Sequence, residues 1–115
     1  MVKRGEIWWA ELPEPEKSEP GFKRPIIIIQ NNVFNRSKIN TIISVILTTN
    51  LKLAEAPGNI LLSASKLNGL NKDSVINVSQ IVTIDKSYLT SKSGELSSKQ
   101  LQKLNESLKL ILNID

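Results

Sequence analysis

The chain has 115 residues, 40% hydrophobic and 23% charged, with a net charge of +4; that leaves room for one domain spanning residues 1–115 with a modest core, and the composition is not that of a disordered or collagen-like chain. With no cysteine and no histidine, disulfide scaffolds, thiolate nucleophiles, cysteine-ligated zinc, Ser-His-Asp triads and two-histidine ribonuclease chemistry are excluded. No stretch reaches the ~18 apolar residues that cross a bilayer, and Met1-Val2-Lys3-Arg4-Gly5 carries no apolar signal core, so a cytoplasmic location without membrane contact is expected.

The segment Gly5 to Leu12 is rich in aromatic and β-forming residues and stops at Pro13, which predicts a first strand. Trp8 and Trp9 then point to opposite faces, one into the core and the other toward a groove or subunit interface. Pro13 to Lys23 holds three prolines and a glycine and reads as a loop of about ten residues, a candidate flap, where hairpins use ~2 to 5. Arg24-Pro25 opens the run Ile26-Ile27-Ile28-Ile29-Gln30, the pattern of a strand covered on both faces. Asn31 to Asn40 is a connecting loop, Thr41 to Thr48 a second mostly buried strand, and Gly58 to Leu62 a shorter one.

Ala64 to Leu67 reads as a helical turn ended by Asn68-Gly69, Asp73 to Gln80 as a strand that Ile81 to Ile84 continues or bends, and Asp85-Lys86-Ser87 as the start of a turn. At the C-terminus Ser97 and Gln100 form a capping box, and Leu101, Leu104, Leu108, Ile111 and Leu112 recur at helical spacing, so a terminal helix should lay that stripe on the sheet. About six strands and one terminal helix, without βαβ units, predict a mostly β fold: a compact antiparallel β-barrel with short helices and a C-terminal helix.

Charge is unevenly spread. Between Glu19 and Glu55 there is no acidic residue, while Lys23, Arg24, Arg36, Lys38 and Lys52 all fall in that window. A site built without histidine or cysteine can still cleave RNA, because the 2′-hydroxyl is itself the nucleophile; the protein need only orient it, assist proton transfer and neutralise the phosphorane. An arginine suits the last task, being always cationic and able to donate two parallel hydrogen bonds to phosphate oxygens. Arg24 lies where the long loop meets a buried strand, and Thr48, with Thr49 and Asn50, at the exit of another. The same residues have plainer uses, an edge charge before a proline and a β-forming threonine with a satisfied hydroxyl. Phe22 is placed to stack on a base or to anchor the loop.

In order and spacing, Lys3-Arg4-Gly5-Glu6-Ile7-Trp8, Ser18-Glu19 ahead of Arg24-Pro25 and the isoleucine run, Val45-Ile46-Leu47-Thr48-Thr49-Asn50, and Lys72-Asp73-Ser74-Val75 leading to Ser79-Gln80-Ile81-Val82-Thr83-Ile84-Asp85-Lys86 resemble the MazF/PemK toxins over nearly the whole chain. The resemblance implies an SH3-like barrel, a homodimer, and a metal-independent endoribonuclease that cuts single-stranded mRNA at short motifs, leaving 2′,3′-cyclic phosphate and 5′-hydroxyl ends, with no cofactor. It also implies catalytic roles for Arg24 and Thr48 and an RNA groove bordered by Glu19, with Phe22, Lys23, Asn31, Asn32, Thr49, Asn50 and Gln80 as RNA-binding candidates; Glu19 is equally a solvated loop charge. A cognate antitoxin would fill the cationic groove with an acidic flexible segment. Many members have an arginine where this chain has Val82, which removes a possible phosphate or antitoxin contact. Two other readings fit the same outline: a non-enzymatic toxin that binds DNA gyrase, as the CcdB proteins do, and a module that binds RNA and leaves it intact.

Overall fold

The computed structural model describes residues 1–12 and 22–115. In chain order come β1 (Glu6–Leu12), β2 (Phe22–Ile28), α1 (Asn32–Asn35), β3 (Thr41–Thr48), a 3₁₀ turn (Leu51–Glu55), β4 (Ile60–Leu62), β5 (Ser74–Asp85), a second 3₁₀ turn (Lys86–Tyr88), β6 (Leu89–Glu95) and α2 (Ser98–Leu112). The strands form one six-stranded sheet in the order β4-β5-β3-β2-β1-β6, and each pairing is antiparallel.

The isoleucine run explains why β2 and β3 lie at the centre. Ile27 packs with Ile7, Val45 and Leu47 in a cluster that Leu104 and Leu108 of α2 cover, while Ile26 and Ile28 point the other way, into a second cluster with Ala10, Ile42 and Ile46. A side-chain period of two thus feeds alternate isoleucines to two cores. Ile26, Ile27 and Ile28 are all 0% exposed, and burying each is worth roughly 2 kcal/mol relative to leaving it in water. Trp8 packs against the second cluster and Val82 does the same, so position 82 is used for packing.

The sheet is a half-barrel, and a connection closes the gap between its edge strands. The β4–β5 connection reaches β6: the Glu95 amide donates to the Leu67 carbonyl at 3.0 Å, and the Ser93 hydroxyl donates to the Asn68 carbonyl at 2.9 Å. Two glycines permit that approach. A Cβ on Gly94 would collide with the Leu67 carbonyl, and one on Gly69, whose φ is +69°, would collide with that of Ser93. Asn68 is 1% exposed and works as an internal bracket, accepting from the Ser65 and Leu70 amides and donating to the Ser63 carbonyl. The expected helical turn here is hydrogen-bonded from the Gly69 amide to the Ser65 carbonyl.

Several expected boundaries move. The Asn31 to Asn40 connection contains α1, capped by the Asn31 side chain, which accepts from the Val33 amide. Residues Leu89–Glu95 form β6, an edge strand that periodicity misses because its residues are mostly polar and none is buried. In β5 the chain advances from Asn77 to Ile81 while β3 retreats only from Ile46 to Val45, a bulge braced by the Asn77 side chain, whose Nδ2 donates to Gln80 Oε1 at 3.0 Å. The capping box of α2 is present, but the buried apolar stripe is shorter than its spacing predicts: Leu104 and Leu108 are buried, whereas Ile111 and Leu112 are 42% and 51% exposed.

Candidate active site

Arg24 and Thr48 are brought to one end of the sheet by strand register. Ile26 pairs with Ile46, Ile27 with Val45 and Ile28 with Ser44; extending that antiparallel register by two residues sets Arg24 level with Thr48. The ladder stops at Ile26, and Pro25 supplies the reason, since it has no N–H to donate. A groove of about 310 Å³ lies beside these strand ends.

This groove is lined by Trp9 of β1, by Lys23, Arg24 and Pro25 of β2, and by Leu47 and Thr49 at the exit of β3. Leu70-Asn71-Lys72, from the connection that closes the half-barrel, and Ser74 of β5 complete the lining. None of the described lining residues is acidic. Lys23 is held across the sheet, its ammonium 5.8 Å from the centre of the Trp9 ring, a distance at which the ring quadrupole attracts the cation.

Thr48 is half-buried, and its hydroxyl accepts from the Asn50 amide at 3.2 Å. That bond uses a lone pair and leaves the O–H proton to donate, which suits a phosphate oxygen. Asn50 in turn caps the first 3₁₀ turn, its side-chain oxygen accepting from the Lys52 amide at 3.3 Å. Thr49, not Thr48, faces the groove. Phe22 opens β2 with 63% of its surface exposed and a φ of +59°, a left-handed backbone that a bulky side chain rarely adopts and that costs about 1 kcal/mol or more.

The remaining candidates lie elsewhere. Asn31 and Asn32 lie past the far end of β2 from Arg24, and their oxygens are occupied: Asn31 caps α1, and Asn32 accepts from the Arg4 amide at 2.7 Å and the Asn35 side chain at 3.0 Å. Gln80 lies in the β5 bulge, level with the middle of β3. Glu19 and most of the expected flap fall outside the described residues. The cationic window also divides, because Arg36 and Lys38 follow α1 at the Asn31 end while Lys23 and Arg24 stay at the groove. Trp9 stands in the groove, as expected for one of the two tryptophans, and so does Lys72, which no site expectation included although it follows the turn signal Asn68-Gly69. No group of three or more acidic side chains gathers as a metal site among the described residues, and no helix there is long and apolar enough to cross a membrane.

Comparison with known proteins agrees with this architecture. Endoribonuclease MazF6 of Mycobacterium tuberculosis is 37% identical over 114 residues, covering 99% of both chains, and endoribonuclease EndoA of Bacillus subtilis is 37% identical over 112 residues, 97% of this chain and 95% of its own. Among solved structures, a mycobacterial endoribonuclease in complex with its cognate antitoxin superposes with a TM-score of 0.80 at 24% identity, covering 100% of this chain and 98% of that one. MazF of Deinococcus radiodurans gives 0.80 at 17% identity, with 98% and 97% covered. The family model described as PemK-like, MazF-like toxin of type II toxin-antitoxin system matches residues 3–112, and with relatives this similar over nearly the full length, the chain belongs to the PemK/MazF toxin family, whose relatives here are endoribonucleases.

Proposed function

We propose that this chain is an endoribonuclease toxin that cleaves single-stranded RNA at short motifs without a metal ion, leaving 2′,3′-cyclic phosphate and 5′-hydroxyl ends. The 2′-oxygen attacks the adjacent phosphorus, the bond to the 5′-oxygen breaks, and the proton lost from the 2′-hydroxyl is balanced by one gained at the leaving oxygen. Arg24 stabilises the charge of the phosphorane with its guanidinium, and Thr48 donates its hydroxyl proton to a phosphate oxygen. What supports the reading most is the register that levels Arg24 with Thr48 where Pro25 ends the ladder, beside a groove with further cations and no acidic side chain among its described lining residues. The curated relatives favour cleavage over the gyrase-binding alternative.

The same reading includes a homodimer, a cytoplasmic location, and a cognate antitoxin whose acidic, flexible segment fills the groove and silences the toxin. Support for the last is the solved complex of a similar endoribonuclease with its antitoxin, together with a groove whose charge is complementary to such a segment. The test is incubation with a long mixed-sequence RNA in EDTA, beside Arg24→Ala protein and a DNA copy. Discrete RNA-only cuts ending in cyclic phosphate and absent from the variant are expected. Near-full cleavage by a folded Arg24→Ala protein, or loss of cleavage in EDTA, overturns the assignment.

A further inference from the structure

Two features of the groove exceed what a single scissile phosphate requires. The Lys23 ammonium lies 5.8 Å from the centre of the Trp9 ring although the residue is exposed, and Lys72 lines the same groove. The segment presenting Lys72 is unusually well built for a loop. Leu70 is 8% exposed and plugs the core under α2, and Asn68 brackets the preceding turn with three side-chain hydrogen bonds. On its other flank, the Asp73 carboxylate accepts from the Ala64 amide at 2.8 Å, and the Ser74 hydroxyl donates to the Lys72 carbonyl at 3.2 Å. Backbone fixed on both sides leaves only the lysine stem to order when an anion binds, which lowers the entropic cost of the contact.

We propose that Lys23, positioned by Trp9, and Lys72, positioned by the β4–β5 connection, form a second phosphate subsite that holds a phosphodiester next to the scissile one. The inference rests on the ribonuclease reading above and names how that site grips its substrate. Arg24 takes the reacting phosphate, and the two lysines that line the same groove of about 310 Å³ take its neighbour. Ammonium groups serve this purpose well: they act as point charges that accept a phosphate from many directions and carry no base preference. An acidic protein segment is the other anion that fits, and the experiment separates the two.

Binding is measured in the Arg24→Ala protein, so that the RNA stays intact, as a function of salt. Each of Lys72→Met and Lys23→Met is expected to lower the slope of log K against log salt by ~0.7, the value for one phosphate contact with a single strand, and to weaken binding roughly tenfold. Trp9→Phe, which keeps a weaker ring under Lys23, should give an intermediate loss that disappears in the Lys23→Met background. In otherwise unaltered protein, Lys72→Met and a methylphosphonate at the linkage flanking the cut should each reduce kcat/KM about tenfold and together no further. An unchanged salt slope with Arg24-dependent cleavage intact overturns the subsite alone, and so does full additivity of the lysine and methylphosphonate effects. Loss of affinity for an acidic peptide with RNA binding unaltered reassigns the lysines to a protein partner and overturns the proposal, whereas no cleavage by the unaltered protein overturns the ribonuclease reading beneath it.

Discussion

At Thr48 one hydroxyl carries two duties, and substitution separates them. Its oxygen accepts from the Asn50 amide at 3.2 Å, and its proton is the group assigned to the phosphate. Thr48→Ser keeps both and should retain cleavage within a few-fold, while Thr48→Val keeps the shape and loses both. For valine the expected result is a fall of about 10²-fold in kcat, the usual cost of removing one donor to a developing oxyanion, with about 1 kcal/mol of stability lost at the orphaned amide; parallel turnover and urea titrations measure the two. Phe22 invites a similar separation. Its φ of +59° is a glycine conformation, so Phe22→Gly removes a strain of about 1 kcal/mol and should not lower the urea midpoint. RNA affinity should nonetheless fall severalfold if the 63%-exposed ring stacks on a base, as base–aromatic contacts are worth about 1–3 kcal/mol; unchanged affinity would reduce Phe22 to a loop anchor.

Among the elements, β1 and β6 are joined by a charge that the sheet has partly buried. Glu6, 7% exposed, is bonded by the Lys92 ammonium at 2.9 Å, the Trp8 indole at 3.1 Å and the Lys3 amide at 2.9 Å. Burial pushes its carboxyl up, but the three donors and the Lys92 charge outweigh that and hold it below the usual carboxylate value. A depressed folded pKa means stability that is present above the unfolded value near 4.5 and is lost as pH falls through the folded one. The urea midpoint of the unaltered protein should therefore drop more between pH 6 and pH 3 than that of Glu6→Gln, and equal drops would show that the bond does not contribute. This edge also marks the limit of what was legible beforehand. The central strands announced themselves through Ile26 to Ile29 and Thr41 to Thr48, and α2 through Ser97 and Gln100, because burial on both faces and capping leave local patterns. β6 left none, since Thr90-Ser91-Lys92-Ser93-Gly94 is polar throughout and buries no side chain. The strand ends that carry Arg24 and Thr48 were legible for the same reason as the strands themselves, and period-two alternation set Trp8 and Trp9 on opposite faces, whereas Lys72 enters the groove through closure between distant segments.

Across the whole molecule the closure of the half-barrel and the shape of the groove are one structural fact, because residues 67–69 seal the edge against β6 and residues 70–72 line the groove. Gly94 is remote in sequence from every candidate site residue, yet a methyl group there collides with the Leu67 carbonyl and with Asn68. These are backbone atoms of a turn locked by Asn68, so they cannot yield as a flexible side chain would. Gly94→Ala should lose the Glu95–Leu67 and Ser93–Asn68 bonds together and cost roughly 3 kcal/mol, the upper part of the range for overpacking. It should also move Leu70 and Lys72, so that stability and RNA affinity fall in the same variant, whereas Lys72→Met lowers affinity and leaves the urea midpoint unchanged. Hydrogen exchange supplies the discriminating measurement: protection lost at the Glu95, Gly69 and Leu70 amides in Gly94→Ala, with the β2–β3 ladder still protected, identifies a local opening of the seal. Uniform loss of protection would instead mean that the closing turn holds up the whole sheet, and the groove would then owe its form to global stability rather than to this one approach of two backbones.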